Sequence, residues 1–470
     1  RQFSLHHITG MLMYMQREYR SDVLPQRNQG ISGRFTYDYG QRYLVELNFG
    51  YNGTERLAKK SRFEFFPAIS LGWVISNEQF FEPMTDMIDN LKIRGSYGLV
   101  GSDETGMGAG AQHFLYIDQV YLNNIGFTTG VDMNYTLSGP QMITYAVQNA
   151  SWERVKKLDI GLDLELFRQL TITADYFKER RYNILLNREA WPESLAYYTA
   201  KPWSNKGKVD NWGLELSVNW HKEIIKDLFV DFRGNFTYTE NKYVDLDEPV
   251  YPYVWKTSTG KPLSRTTGYV AEGLFKSQEE IDNSPEQNLG SVVKPGDIKY
   301  RDINGDGKID DNDQVMLSPY GTTPRIQYGL GMNITYKKFD FGVFFNGSAK
   351  RKIMVSGVTP FGESDYNVMQ FIADERWTEA NPNPNATYPR LGLVGSQTAN
   401  NNVASSYWMR NGNFLRFKTL EFGYSFRYGR VYLSGDNLAV FSPFKLWDPE
   451  LSYNSYPLQR TFNVGVQLNF

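Results

Sequence analysis

Every second residue of the segment 326–336 is apolar: Ile326, Tyr328, Leu330, Met332, Ile334 and Tyr336 alternate with Gln327, Gly329, Gly331, Asn333 and Thr335. The same pattern sets Leu158, Ile160, Leu162, Leu164 and Leu166 against Asp159, Gly161, Asp163 and Glu165. It also sets Leu228, Val230, Phe232, Phe236 and Tyr238 against Asp231, Arg233, Asn235 and Thr237. Successive side chains of a strand point to opposite faces, so each run is a strand with one oily and one wet face. A soluble sandwich has such strands too, and two features separate the readings. Many runs last about ten residues or more, enough to cross a bilayer at the usual tilt, against about five or six in a sandwich. The connections also alternate in length. Lys337-Lys338, 222–227 and Tyr428-Gly429 are short, whereas 101–150, 242–324 and 351–410 are long. Structureless loops of that length count against a compact soluble domain, but they are expected outside an outer-membrane barrel, opposite short periplasmic turns.

The pattern predicts about fourteen strands. They lie near 2–16, 28–39, 41–52, 61–76, 90–100, 152–168, 170–186, 206–221, 228–241, 325–337, 338–350, 413–427, 430–441 and 459–470. The fold class is all-β, a transmembrane antiparallel β-barrel. Counted back from a periplasmic C-terminus, every long loop falls on the outside. In the last run Phe462, Val464, Val466, Leu468 and Phe470 alternate with polar or small residues, an ending similar to the signal read by outer-membrane assembly machinery. An ordinary amphipathic edge strand is the bland alternative.

Composition agrees. Aromatic residues make up 15% of the chain, with 32 Tyr and 30 Phe, yet the mean hydropathy is -0.49. No stretch approaches the ~18 uninterrupted apolar residues of a membrane-spanning helix. Apolar residues facing lipid, polar ones facing a lumen and aromatic girdles at both interfaces give such a balance. The absence of cysteine removes disulfides, thiolate chemistry and Cys-ligated zinc. A net charge of -2 gives no reason to expect nucleic acid. The opening RQFSLHHITGMLMYM has no basic start, apolar core or small-residue cleavage site, so it does not read as a signal peptide. Its strand-like pattern favours a chain cut short at its start.

Several dispersed segments together resemble the SusC/RagA family of TonB-dependent transporters. They include GRFTYDYGQRYLVELNFGYNGTERLAKKSRFEFFPAISLGWVIS, IDNLKIRGSYGLVG, NASWERVKKLDIGLDLELF and KGKVDNWGLELSVNW. Later ones are GYVAEGLFKSQEEID, PGDIKYRDINGDGKIDDNDQV, YWMRNGNFLRFKTLEFGYSF, RVYLSGDNLAVFSPFKLWDPE and YPLQRTFNVGVQLNF. The resemblance implies a 22-stranded barrel with an N-terminal plug, of which residues 1–470 would be about the last fourteen strands. It implies a TonB-contacting segment ahead of the plug and a SusD-like surface lipoprotein over the outside. The function it implies is TonB-dependent import of a large nutrient across the bacterial outer membrane. An oligosaccharide is the first choice of substrate and a peptide the second; a structural or adhesive barrel stands behind both. Plug, TonB contact and leading strands have no counterpart in this chain, and outer-membrane lipid would surround it.

One motif carries recognisable chemistry. Asp302, Asn304, Asp306, Asp310 and Asp313 occupy positions 1, 3, 5, 9 and 12 of a twelve-residue loop, with Gly307 at the tight sixth position. The carbonyl of Lys308 would supply position 7. Such oxygens can wrap one Ca2+ ion. Position 12 is Asp rather than Glu and no long helices flank the loop, so this would be an isolated calcium loop; a solvated acidic turn is the alternative. No catalytic signature is present, and no enzyme activity is expected. His6 and His7 point to opposite faces of a strand and cannot share a metal. Gly106-Met-Gly108-Ala-Gly110 opens no helix and reads as flexible loop rather than phosphate cradle. Trp191, Trp203, Trp255, Trp377, Trp408 and Trp447 fall in loops, where stacking on sugars and ordinary packing are both open; none is nominated as a ligand residue.

Overall fold

The computed structural model describes all residues except 1, 21–24, 105–112, 125, 148, 193–201, 356–367, 369, 393–396, 453–454 and 470. The glycine-rich segment Gly106–Gly110 and the terminal Phe470 therefore lie outside the described residues. The chain divides into two compact units. The first comprises residues 1–222, 231–250 and 258–260, and the second 223–230, 251–257 and 261–470.

In the first unit the long strands are β1 (His6–Tyr19), β2 (Gln26–Tyr39), β3 (Tyr43–Thr54), β4 (Phe63–Val74) and β5 (Ile88–Ser102). They continue as β6 (Glu153–Leu166), β7 (Leu170–Asn187), β8 (Trp203–Ile225) and β9 (Leu228–Asp245), of which 223–225 and 228–230 fall in the second unit. They follow one another across an antiparallel sheet in chain order. In the second unit β10 (Ile326–Tyr336), β11 (Phe339–Ala349), β12 (Phe414–Phe426), β13 (Gly429–Phe441) and β14 (Thr461–Leu468) do the same. Among the described residues no helix is long and apolar enough to cross a membrane.

The register confirms the facing read from alternation. In the first unit Leu162 lies between Ile93 and Ala174, and Leu164 between Leu91 and Ile172, while Gly161 and Asp163 share the other face. In the second, Leu330 pairs with Phe345, which pairs with Phe417, and Ile334 leads through Phe341 to Phe422. Leu330, Ile93 and Ile160 keep 44–49% of their surface exposed, so this face is not packed into a protein core. Turn chemistry fits as well: in the three-residue β6–β7 reversal Phe167 and Arg168 both take the positive φ of 54° of a type I′ turn, closed by the Gln169 N–H donating to the Leu166 carbonyl at 2.9 Å.

Two expectations change. The opening strand does not run from residue 2; the chain reverses at Ser4 (φ 55°), so Gln2–Phe3 pairs back onto His6–His7. The Gly40 N–H holds that reversal by donating to the Leu5 carbonyl at 2.7 Å. The long connections of the second unit are not structureless. Tyr269, Ile298, Tyr300, Ile353, Trp377, Trp408 and Phe444 bury one another in a core of their own, with Trp408 at 0% exposure. Short ladders supply the frame, Ala271–Leu274 against Ile298–Tyr300 and Lys352–Met354 against Met409–Asn411. The 103–152 connection of the first unit does likewise around Leu57, Phe66, Leu115 and Trp152.

Candidate functional site

The acidic loop 302–313 is tightly folded, and its side chains serve its own backbone. Gly305 and Gly307 adopt left-handed φ of 75° and 83°, and their N–H groups donate to the two Asp302 carboxylate oxygens at 2.7 and 2.8 Å. Asn304 accepts from the Asp306 N–H at 3.1 Å, Asp306 from the Lys308 N–H at 2.9 Å, and Asp310 from the Asn312 N–H at 2.7 Å. Asp313 is fully buried, and its oxygens accept from the N–H groups of Ile303 (2.8 Å) and Asp310 (2.9 Å). Short polar side chains capping the backbone two or three residues on are a common device of tight turns. The fit to a calcium cage is partial. Asp302, Asn304, Asp306, Asp310 and Asp313 all accept from backbone N–H groups, and Asp313 alone of them is fully buried. Among the described residues no group of three or more His, Cys, Asp or Glu side chains is placed to hold a metal.

A stacked pair of rings, Tyr253 and Trp255, anchors this loop (centroids 4.7 Å apart, 15° between planes). Trp255 Nε1 donates to the Asn312 carbonyl at 2.7 Å, and Asn304 Nδ2 donates to the Tyr253 hydroxyl at 3.1 Å. Tyr269 closes the far side beside Gln314 and Asp311, and burial pushes its phenol up to about 12. The other loop tryptophans pack rather than present a face. Trp377 and Trp408 are buried, Trp447 lies edge-on to Phe444, Trp203 packs on the first unit's loop core, and Trp191 lies under the Arg188 guanidinium.

Three charged groupings escaped the sequence reading. On the polar face of the first unit, Arg94 donates to Asp175 at 2.9 Å and to Asp159 and Asp163 at 3.3 Å. Gly161 stands in register between Arg94 and Asp175; a Cβ there would lie 2.5 Å from the guanidinium carbon. In the second unit Arg430 reaches Asp340 at 2.9 Å and also Glu421, over Gly423. Arg416, only 2% exposed, donates to Asp448 at 2.6 Å and Glu450 at 2.7 Å, clamping the 442–460 connection to β12. For the first two the signal available beforehand was a glycine inside the polar row of an alternating strand, Gly161 and Gly423.

The loop core carries a buried polar network. Asn401 Oδ1 accepts from the Ile298 N–H (2.9 Å) and Gln287 Oε1 from the Tyr300 N–H (2.7 Å), while Gln287 and Asn400 amides donate to the Ile298 carbonyl. Asp297, fully buried, receives Arg390 Nη2 and Asn401 Nδ2 at 2.9 and 2.8 Å; burial pushes its carboxyl above the usual range against the pull of Arg390. His6, for its part, meets the Tyr37 hydroxyl at 2.8 Å.

The family described as TonB dependent receptor-like, beta-barrel matches residues 8–467. The chain is 28% identical over 467 residues to the TonB-dependent receptor SusC of Bacteroides thetaiotaomicron, covering 93% of this chain and 43% of that one. It is 25% identical over 480 residues to the TonB-dependent receptor P3 of Formosa agariphila, covering 94% and 45%. Among solved structures, the RagAB peptide transporter superposes with a TM-score of 0.73 at 18% identity, over 100% of this chain and 54% of that one. The chain thus spans less than half the length of these two relatives.

Proposed function

The chain belongs to the TonB dependent receptor-like β-barrel family of the bacterial outer membrane, and from that premise we propose that it forms wall and outer loops of a SusC/RagA-type importer for a large nutrient. The observation that carries this reading is the family match over residues 8–467, laid in each unit on long antiparallel strands with an apolar face. An oligosaccharide is the proposed cargo, captured with a SusD-like surface lipoprotein and released inward when TonB acts. Plug and TonB contact are assigned to sequence outside this chain. No bond is made or broken. A peptide is the second reading, favoured by the shared fold with a peptide transporter. Uptake of labelled oligosaccharides and peptides by cells with and without the intact gene tests both. Loss of oligosaccharide uptake alone supports the first, and loss of peptide uptake alone replaces it with the second. Co-purification of a surface lipoprotein with the full-length protein tests the partner.

Calcium belongs to the same proposal, as a brace for the 242–324 connection against the lipoprotein. Asp302, Asn304, Asp306, Asp310 and Asp313 with the Lys308 carbonyl would hold it, and the spacing of these oxygens supports the idea. Titration calorimetry on the full-length protein should detect one calcium that Asp306→Ala removes, with the wall still assembled. No binding by the unaltered protein ends the metal proposal. Unchanged lipoprotein affinity in Asp306→Ala ends only the bracing role.

A further inference from the structure

Where β1 to β4 end, opposite the short 40–42 turn, the apolar face gives way to polar residues in one register step. Tyr14, Ile31, Tyr51 and Phe65 form the last apolar row, with Tyr51 stacked on Phe63 at 5.3 Å. The next row is Gln16, Gln29, Gly53 and Phe63. Tyr14 turns its hydroxyl up to Gln16 Oε1 at 3.1 Å, as girdle tyrosines do at the edge of hydrocarbon. The Phe63 ring lies over Gly53, and beside it is a pocket of about 120 Å³ walled by Gln16, Gln29, Phe63, Arg27, Arg62 and Glu55. Set against the ~30 Å³ share of one liquid water, that is room for a compact polar group.

The two arginines differ. Arg27 is held by Glu18 at 2.8 Å and reaches Glu55 only at 3.9 Å. Arg62 Nε is buried without a hydrogen-bond partner, and among the described residues no carboxylate pairs with its guanidinium. A buried guanidinium nitrogen seldom goes unpaired, because losing water without gaining an acceptor is costly. Arginine offers planar forked donors, which suit phosphate oxygens. Gln16, Gln29 and Phe63 of its wall belong to the row that continues the apolar face, at the strand ends opposite the 40–42 turn. We infer that it receives the phosphate of a phosphorylated glycolipid in the outer leaflet, with Arg62 as principal donor, Arg27 beside it and the Phe63–Tyr51 stack against the acyl-chain side. This rests on the outer-membrane placement of the wall and not on the identity of the cargo.

The test is native mass spectrometry of the full-length protein in detergent, titrated with a phosphorylated glycolipid, with its dephosphorylated form, and with inorganic phosphate alone. The unaltered protein should retain the phosphorylated lipid, and Arg62→Gln should lower that retention about tenfold or more, as expected for a lost charge-assisted contact. Arg62→Lys should restore part of it. A second variant, Arg27→Gln, gives an independent reading if the first folds poorly. Equal retention of both lipids, or no change in either variant, overturns the inference. Tight binding of inorganic phosphate without any preference for the lipid also overturns it, since the site would then serve a soluble anion. A failed uptake assay would leave these lipid measurements standing, so the two proposals fail separately.

Discussion

Leu330→Arg is the most direct probe of the wall. Leu330 is the fifth of the eleven residues of β10, with Phe345 opposite and Phe417 beyond, all on the apolar face. At about 3.4 Å per residue and a tilt near 45°, it sits roughly 10 Å from the strand end, near the middle of a band about 25 Å tall. An arginine there meets hydrocarbon and no acid, which costs about 2–4 kcal/mol. Asn333, three residues on, faces the other way. It pairs with Gly342, whose missing side chain opens the way to Glu421 on β12. Asn333→Arg therefore gains an acidic neighbour across a glycine, much as Arg94 has Asp175 across Gly161, and should cost under about 0.5 kcal/mol. The difference, about 1.5–4 kcal/mol, corresponds to about 10- to 900-fold in the folding equilibrium. Urea titration of the full-length protein folded into thin phosphatidylcholine vesicles, followed by tryptophan fluorescence and heat-modified gel mobility, measures it. Equal costs for the two variants, or a larger one for Asn333→Arg, would refute the assignment of faces.

Other outcomes follow from the same geometry. Gly161→Val puts carbon where the Arg94 guanidinium lies and should cost about 1–3 kcal/mol in the same titration; adding Arg94→Ala should relieve part of that cost, and strict additivity would show that the two do not compete. Trp408→Ala empties the centre of the loop core and removes the indole N–H that donates to the Asn401 carbonyl at 2.6 Å, a loss of about 3–5 kcal/mol. Limited proteolysis should then cut within 350–413 while the strands stay protected. Glu280 is held below its ordinary 4.5, first by the Lys276 backbone N–H and then by Lys299. Its contribution is thus complete above that value and lost as pH falls through the lower folded one, so hydrogen exchange over 276–299 should quicken below about pH 4.5, less steeply in Glu280→Gln.

Strands were legible because alternation is local. Ile326 to Tyr336 announces its two faces without reference to any other segment, and its limits move by a single residue. The reversal at Ser4 was invisible, since a serine with positive φ has no sequence mark of its own and His6 to Met15 alternates convincingly with or without Gln2 and Phe3. The loop core was missed for the opposite reason. Tyr269, Ile298, Ile353, Trp408 and Phe444 come from stretches as far as 175 residues apart with no common period, so only the folded chain shows that they meet. The Arg94 cluster needs a register before it exists, because its acids lie 65–81 residues away on two other strands. At 302–313 the spacing was read correctly as a tight oxygen-rich loop, and the structure adds that its oxygens satisfy backbone N–H groups, a use that ligand spacing and turn spacing share.

Among the described residues the strand Ile298–Tyr300 pairs with one strand, Ala271–Leu274; along its other edge the amides of Gln287, Asn400 and Asn401 occupy the places where a further backbone would bind. A bare edge is adhesive, because any extended chain can add to it by main-chain bonds regardless of its sequence. Here that adhesiveness is quenched by side chains that cannot propagate a ladder. Ile298, Tyr300, Asn400 and Asn401 are themselves buried, so these amides end the small ladder inside the loop core and leave no strand edge exposed there.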